Sequence, residues 1–292
     1  MINVLLQTTI GDNADDWDIR RFSHLEEFLR NSRDDQGHQL FNVVARNRGP
    51  ADRPDPVLSS LPQSGFDELW LFGVDTGDGL QPEDSEGIAA FRRRGGGVLV
   101  TRDHMDVGSS LIALGQGLGS ANHFHTRNAD PDSSRHCPDD LDTDYILWPN
   151  YHSGANGDYQ RVEPLGAVHP VLRDPLSPQG HINYLPAHPH EGSVGVPADE
   201  PTARAILRGR SAVSGREFDL VIAFERTATS GPAIAQSTFH HFCDYNWDIG
   251  AGAPSFVDEP PSDAMRRFPD ALRSTKQYTR NVALWLAGRP PS

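Results

Sequence analysis

The first hundred residues alternate short apolar runs with helical patterns, and this alternation constrains the fold more than any other feature. Runs typical of buried strands cover residues 2–10, 39–46, 69–74 and 98–101. Between the first two, apolar residues recur at helical spacing from Ile19 to Leu29. Strands that alternate with helices predict an α/β fold, with an open, mostly parallel sheet and helices on both faces.

The pattern stops at about residue 115 and returns at about residue 201. The segment between is rich in Asp, His, Pro and Gly and shows no convincing long helix. Beyond it, strands are predicted at 205–208, 218–224 and 233–237, followed by a helix at 270–287. We therefore predict a single domain over residues 1–292 with a long, irregular, His-rich insertion at about 115–201. Such long irregular segments are often functional.

Charge and composition restrict the partners. The formal net charge is −14, which disfavours nucleic acid and anionic membrane surfaces. Lys276 is the single lysine, so a P-loop nucleotide site is excluded. Neither a signal peptide nor a membrane-spanning run is evident. We expect a soluble cytoplasmic protein that acts on a small polar molecule and can form a homo-oligomer.

Three histidine-bearing turns are the main clue to a site. They are residues 95–104, which end in Asp103 and His104; residues 188–192; and residues 237–244. In an open parallel sheet, ligands bind beyond the carboxyl ends of the strands. The first and third turns follow predicted strands, and the second can join them from the insertion. We therefore expect the three turns to meet at one edge of the sheet.

Proton transfer is the first chemistry that these turns suggest. His104 is a candidate general base with Asp103 as its partner, although a histidine after a strand can also simply cap a loop. His240 and His241 are candidates across the cleft. Because adjacent residues on an extended backbone face opposite sides, only one of the two is expected to enter the crevice.

Metal binding is the second chemistry that these turns suggest. His188 and His190 alternate in an extended segment, so both rings can point to one side, and Glu191 adds a carboxylate. These three are candidate ligands for a divalent metal such as Zn²⁺, unless the segment is an ordinary exposed turn. Asp12, Asp75 and Asp106 lie in strand-end loops and are candidate substrate-binding residues, with helix capping and turn formation as the alternative.

Residues 69–75, residues 95–104 with Asp106 and Gly108, and residues 237–241 resemble the class I glutamine amidotransferase-like superfamily. Within it, the chain is most similar to the ThuA-like and related uncharacterised branches. The resemblance covers roughly residues 1–114 and 205–287. It implies a flavodoxin-like or amidotransferase-like fold, and a carbohydrate-like substrate as the first guess.

One departure from that superfamily limits the reaction. Amidotransferases carry a cysteine within Gly-x-Cys-x-Gly after the fourth strand, whereas this chain reads Thr101-Arg102-Asp103-His104 there. Gly-x-Ser-x-Gly is also missing. If the protein is an enzyme, we expect a hydrolase or lyase without a Cys or Ser nucleophile, working by acid–base or metal-assisted chemistry. The alternative is a non-catalytic ligand-binding or assembly module of the same fold.

Overall fold

The computed structural model of the chain describes residues 1–13, 16–136, 139, 143, 145–255 and 257–291, so Cys137 lies outside the described residues. The strands are β1 (Ile2–Thr8), β2 (Phe41–Arg46), β3 (Glu68–Phe72), β4 (Gly97–Thr101), β5 (Asn122–His123), β6 (Tyr159–Arg161), β7 (Glu163–Pro164), β8 (Tyr184–Pro186), β9 (Ser193–Val194), β10 (Ala203–Arg210), β11 (Glu217–Phe224) and β12 (Ala233–Gln236). The α-helices are α1 (Ser23–Asn31), α2 (Pro56–Ser59), α3 (Pro82–Arg93), α4 (Asp244–Trp247), α5 (Ala264–Arg267) and α6 (Pro269–Leu286). No helix in the described ranges has the length and apolar character needed to cross a membrane.

Eight strands form one sheet in the order β2-β1-β3-β4-β12-β11-β10-β7. The neighbours from β2 to β12 pair in parallel, and those from β12 to β7 pair antiparallel. The chain therefore has the mostly parallel α/β sheet that the sequence predicts. In the parallel half, all carboxyl ends lie at the same edge.

The two faces of the sheet bury separate cores. On β1, Val4 and Leu6 pack with Leu25 of α1 on one face, whereas Leu5 packs with Ile88 of α3 on the other. This division follows from the two-residue repeat of a strand, which sends neighbouring side chains to opposite faces. Helix α6 covers the same face as α1. Both faces are thus covered, as expected for a parallel sheet.

The segment from 115 to 201 is not the uniformly irregular insertion that the sequence predicts. Its strand β7 extends the main sheet by pairing with β10, and β5 with β9 and β6 with β8 form two small ribbons. Tyr151 stacks on Phe218 of β11 with ring centroids 4.5 Å apart. These strands of two or three residues are too short to be predicted from strand propensity. Their pairing is set by packing on the sheet.

Candidate functional site

The ends of β4 and β12 bring the first and third turns together. These strands are parallel neighbours, with Thr101 opposite Gln236, so both chains leave the sheet at the same edge. The Thr238 hydroxyl then donates to Asp103 Oδ1 at 2.9 Å. The same hydroxyl oxygen accepts the His240 backbone N–H at 3.1 Å and begins a short 3-10 helix. Asp103 and His240 are thereby held at one edge of the sheet.

The second turn comes from the insertion and is fastened over this edge. Fully buried Arg102 donates to the backbone carbonyls of His123, Ser193 (3.1 Å) and Met105 (2.6 Å), which ties the end of β4 to strands β5 and β9. The Ser153 hydroxyl accepts the His188 backbone N–H at 2.9 Å. The sequence prediction that three distant turns meet at one edge agrees with this geometry.

The three turns contribute residues to the wall of a cavity of about 310 Å³. Apolar and aromatic side chains form most of its wall: Trp17, Val74, Val107, Tyr145, Ile146, Phe239, Tyr245, Pro254 and Val257. The polar lining consists of Asp103, His104, Asn156, His188, His190, His240 and Glu259. No Arg or Lys is among the described residues that line it. A few convergent polar groups in an apolar hollow are typical of a small-molecule site.

Asp103 is the buried centre of the polar cluster. Its Oδ2 lies 2.9 Å from His104 Nδ1 and 3.4 Å from His240 Nε2, and its Oδ1 lies 3.6 Å from His188 Nε2. Burial opposes the charged form, but neighbouring imidazoles, His240 first, hold the pKa of Asp103 well below its usual value. The carboxylate therefore stays ionised and keeps its contact with His104.

Two asparagines fix the orientation of His188. Asn246 Nδ2 donates to the Ala187 carbonyl and to Asn156 Oδ1, both at 3.1 Å. The Asn156 atom at this position is therefore the amide oxygen, which accepts hydrogen bonds and cannot donate them. His188 Nδ1 lies 2.9 Å from that oxygen and must carry the proton. His188 Nε2 is left as an acceptor, and it is buried without a hydrogen-bond partner in the described residues. Burial, and then His240, lower the pKa of His188 well below its usual value, which favours the neutral form that a metal ligand needs.

His104, His188 and His190 have the geometry of a metal-binding triad. One ring nitrogen of each lies within 4.8 Å of the others. The ring centroid of His190 lies 5.3 Å from that of His104, with an angle of 67° between the ring planes. It lies 5.4 Å from that of His188, with an angle of 89°. Three imidazoles on one zinc ion, at bonds of about 2.0–2.1 Å, have centroids about 5 Å apart.

A second group, Asp103, His188 and His240, has equally close ligand atoms but a less suitable arrangement. The rings of His188 and His240 stack at 3.4 Å and are nearly parallel, at 13°. Lone pairs lie in the ring planes, so two parallel rings cannot both direct one at the same ion. His240 instead has Tyr245 Oη 2.8 Å from its Nδ1. It belongs to the wall of the cavity beside the triad.

Glu191 and His241 lie outside this cavity, in a separate buried cluster. Ser153 Oγ and Gln160 Nε2 donate to Glu191 Oε1, and Ser237 Oγ donates to Oε2 at 3.0 Å. His241 Nε2 lies 3.4 Å from the same Oε2. Of the candidates named from the sequence, His190 and His240 are therefore among the described residues that line the cavity, whereas Glu191 and His241 are not. His240 and His241 lie in the 3-10 helix Phe239–Phe242, where successive side chains are about 120° apart around the axis, so of these two only His240 faces the cavity.

The three aspartates predicted to bind substrate have local structural contacts instead. Asp75 accepts hydrogen bonds from Ser110 Oγ at 2.7 Å and from the Gly77 N–H at 2.8 Å. Asp106 accepts from Thr126 Oγ1 at 2.8 Å, and Asp12 from Asn47 Nδ2 at 2.7 Å. None of Asp12, Asp75 and Asp106 is among the described residues that line the cavity. Turn and loop stabilisation, the alternative considered from the sequence, accounts for these contacts.

Sequence reasoning missed Asn156, Tyr245 and Glu259. Tyr245 follows His240 by only five residues, so its place in the site could have been predicted from its closeness in sequence to that histidine. Asn156 and Glu259 come from irregular segments far away in sequence and reach the cavity only through tertiary packing. No sequence pattern marks them.

Comparison with known proteins gives similarity in fold. No protein-family model matches the chain, and no curated protein matches it in sequence. Similar solved structures include a cytoplasmic protein from Salmonella typhimurium (13% identity, 94% of this chain and 98% of that one, TM-score 0.47). They also include a putative ThuA-like protein from Bacteroides uniformis (10% identity, 96% of this chain and 91% of that one, TM-score 0.44). A third is the glutaminase domain of Trypanosoma brucei CTPS (11% identity, 97% of this chain and 94% of that one, TM-score 0.47).

Identities and TM-scores this low do not carry an activity from one protein to another. The function of this chain must therefore be argued from its own cavity.

Proposed function

We propose that the protein is a metal-assisted enzyme that acts on a small polar molecule. The metal is a divalent cation, with Zn²⁺ the best match, and His104, His188 and His190 are its ligands. The observation that carries the proposal is the convergence of these three rings, at angles that allow a common ion, on the wall of a cavity. Three histidines and one open position is the usual arrangement of a catalytic zinc site.

The groups behind the rings support this assignment. Asp103 lies against Nδ1 of His104, and Asn156 accepts from Nδ1 of His188, so Nε2 of each ring is available as a ligand. Such outer hydrogen bonds fix the tautomer and orientation of metal-binding histidines. The strongest single sign is the buried Nε2 of His188, which has no hydrogen-bond partner among the described residues and has Asp103 Oδ1 3.6 Å away. A buried polar atom without a partner is costly, and a bound cation would satisfy it.

The chemistry follows from the open side of the triad. A divalent cation there polarises an oxygen of the substrate or lowers the pKa of a bound water. Neither role needs the Cys or Ser nucleophile that the chain lacks in its strand-end turn. We therefore assign the reaction to the hydrolase or lyase type. A carbohydrate-like substrate, suggested by the ThuA-like resemblance, fits a cavity of about 310 Å³ without basic residues among its described lining.

Zinc titration of protein purified without a histidine tag tests the proposal. We expect one equivalent of Zn²⁺ to bind, and His190→Ala to lower the affinity by at least about 100-fold, because only two ligands remain. His181→Ala is the matched control, since His181 lies in the same segment and its ring contacts the Ile182 carbonyl. Absence of stoichiometric binding by the wild type, or equal binding by both variants, would reject the triad. In that case a ligand-binding module without a metal becomes the better description.

A further inference from the structure

Glu259 gives the cavity a second carboxylate with a different environment from that of Asp103. We infer that Glu259 is the residue that takes up and returns a proton beside the proposed metal. This inference rests on the proposed function. It assigns a catalytic residue that neither the sequence pattern nor the resemblance indicates.

The two carboxylates among the described lining residues of the cavity differ in their partners. Both oxygens of Asp103 contact side chains of the site, namely Thr238 and the imidazoles, so Asp103 serves to position them. Glu259 Oε1 lies 3.8 Å from His190 Nε2, which is the one ion-pairing contact of Glu259 among the described residues. Its side chain is 19% exposed, on the cavity wall. Of the two, Glu259 is the carboxylate that can move and meet a substrate or a water molecule.

The position of Glu259 favours a proton-transfer role over a ligand role. Ligand atoms of a four-coordinate zinc ion lie about 3.4 Å from one another. The described group with ligand atoms mutually within 4.8 Å contains His104, His188 and His190 but not Glu259. The carboxylate therefore lies near one ligand and outside the set. A carboxylate on the cavity wall beside one of the ligands would be placed to accept a hydrogen bond from a water molecule in the cavity.

In a hydrolysis, Glu259 would take one proton from water and return it to the leaving group. A water molecule in the cavity loses one proton to the Glu259 carboxylate, and the water oxygen forms the new bond to the electrophilic atom of the substrate. The bond to the leaving group breaks with its electron pair. The protonated Glu259 then donates its proton to the leaving group and returns to the carboxylate. No oxidant, reductant or further reactant is needed.

Cobalt substitution tests this role without a known substrate. Co²⁺ is titrated into wild type, Glu259→Gln and Asp258→Asn, and the visible spectrum of each loaded protein is followed against pH. Asp258 is the matched control because it is the adjacent acid, is exposed and is not among the described residues that line the cavity. We expect Glu259→Gln to keep its Co²⁺ affinity within about threefold. We also expect the pH midpoint of its spectral change to fall by about one unit, because a negative charge next to the ionising water has been removed.

The other possible outcomes of the cobalt titration reject either the role of Glu259 or the metal site itself. Loss of Co²⁺ affinity by more than about tenfold in Glu259→Gln would show that Glu259 ligates the metal or orients a ligand rather than only moving a proton, and would overturn the inference. A midpoint equal to that of wild type, or a shift of the same size in Asp258→Asn, would also overturn it. If wild type itself binds no Co²⁺, the proposed function fails, which is a different outcome from a normal holoprotein with an unaffected Glu259 variant.

Discussion

Asp103 joins the ends of two parallel strands to the histidines of the cavity. It accepts from Thr238 after β12, and lies against His104 on its own strand-end turn. Its low pKa keeps it ionised, so it can hold the Nδ1 proton of His104 across the pH range in which enzymes work. The role that follows is to orient a ligand histidine.

Replacing this carboxylate should weaken metal binding. We expect Asp103→Asn to lower Zn²⁺ affinity by about 10–100-fold, because the amide cannot hold the tautomer of His104 with the same strength. Competition with a chromophoric chelator measures the affinity, and far-ultraviolet circular dichroism checks the fold. Asp106→Asn is the matched control, since Asp106 contacts Thr126 in the neighbouring loop. An affinity equal to that of wild type would argue against the Asp103–His104 contact as part of the site.

Short elements of the insertion are stabilised by buried histidines as well as by apolar contacts. Fully buried His169 precedes a 3-10 helix at Pro170–Leu172, and its Nδ1 accepts the backbone N–H of Val171 at 3.2 Å. Its Nε2 lies 3.2 Å from Glu225 Oε1. Burial, with a smaller opposing effect from Glu225, lowers the pKa of His169 to about 4. The neutral ring is therefore the form that the folded protein requires.

This requirement predicts a pH dependence of stability. The unfolded chain takes up a proton at His169 near pH 6.5, whereas the folded chain does so only near pH 4. Stability is thus complete above about pH 6.5 and falls as the pH drops towards 4, by up to about 3 kcal/mol from this group. His169→Gln should flatten that decline in urea unfolding measured from pH 7 to pH 4. Exposed His38→Gln should leave the slope unchanged, and an equal slope in both variants would contradict the assignment.

At the scale of the molecule, the sheet was predictable because its information is local and repeated. Apolar runs gave β1 to β4, and the strand-end rule then placed His104 and His240 at one edge.

The rest of the site depends on long-range packing that no local pattern encodes. Arg102 holds the insertion through backbone carbonyls. Because every residue has a backbone carbonyl, these contacts leave no pattern in the sequence. Asn156 and Glu259 reach the cavity from segments without regular structure. Their contribution could be found only once the fold had brought them beside the histidines.

Diffraction at the zinc absorption edge, from crystals of the zinc-loaded protein, tests the central claim most directly. We expect one anomalous peak in the cavity, with nitrogen atoms of His104, His188 and His190 at about 2.0–2.1 Å and the remaining position open towards the hollow. A zinc ion held by other residues, or a cavity without a peak in protein that binds no zinc, would contradict the account.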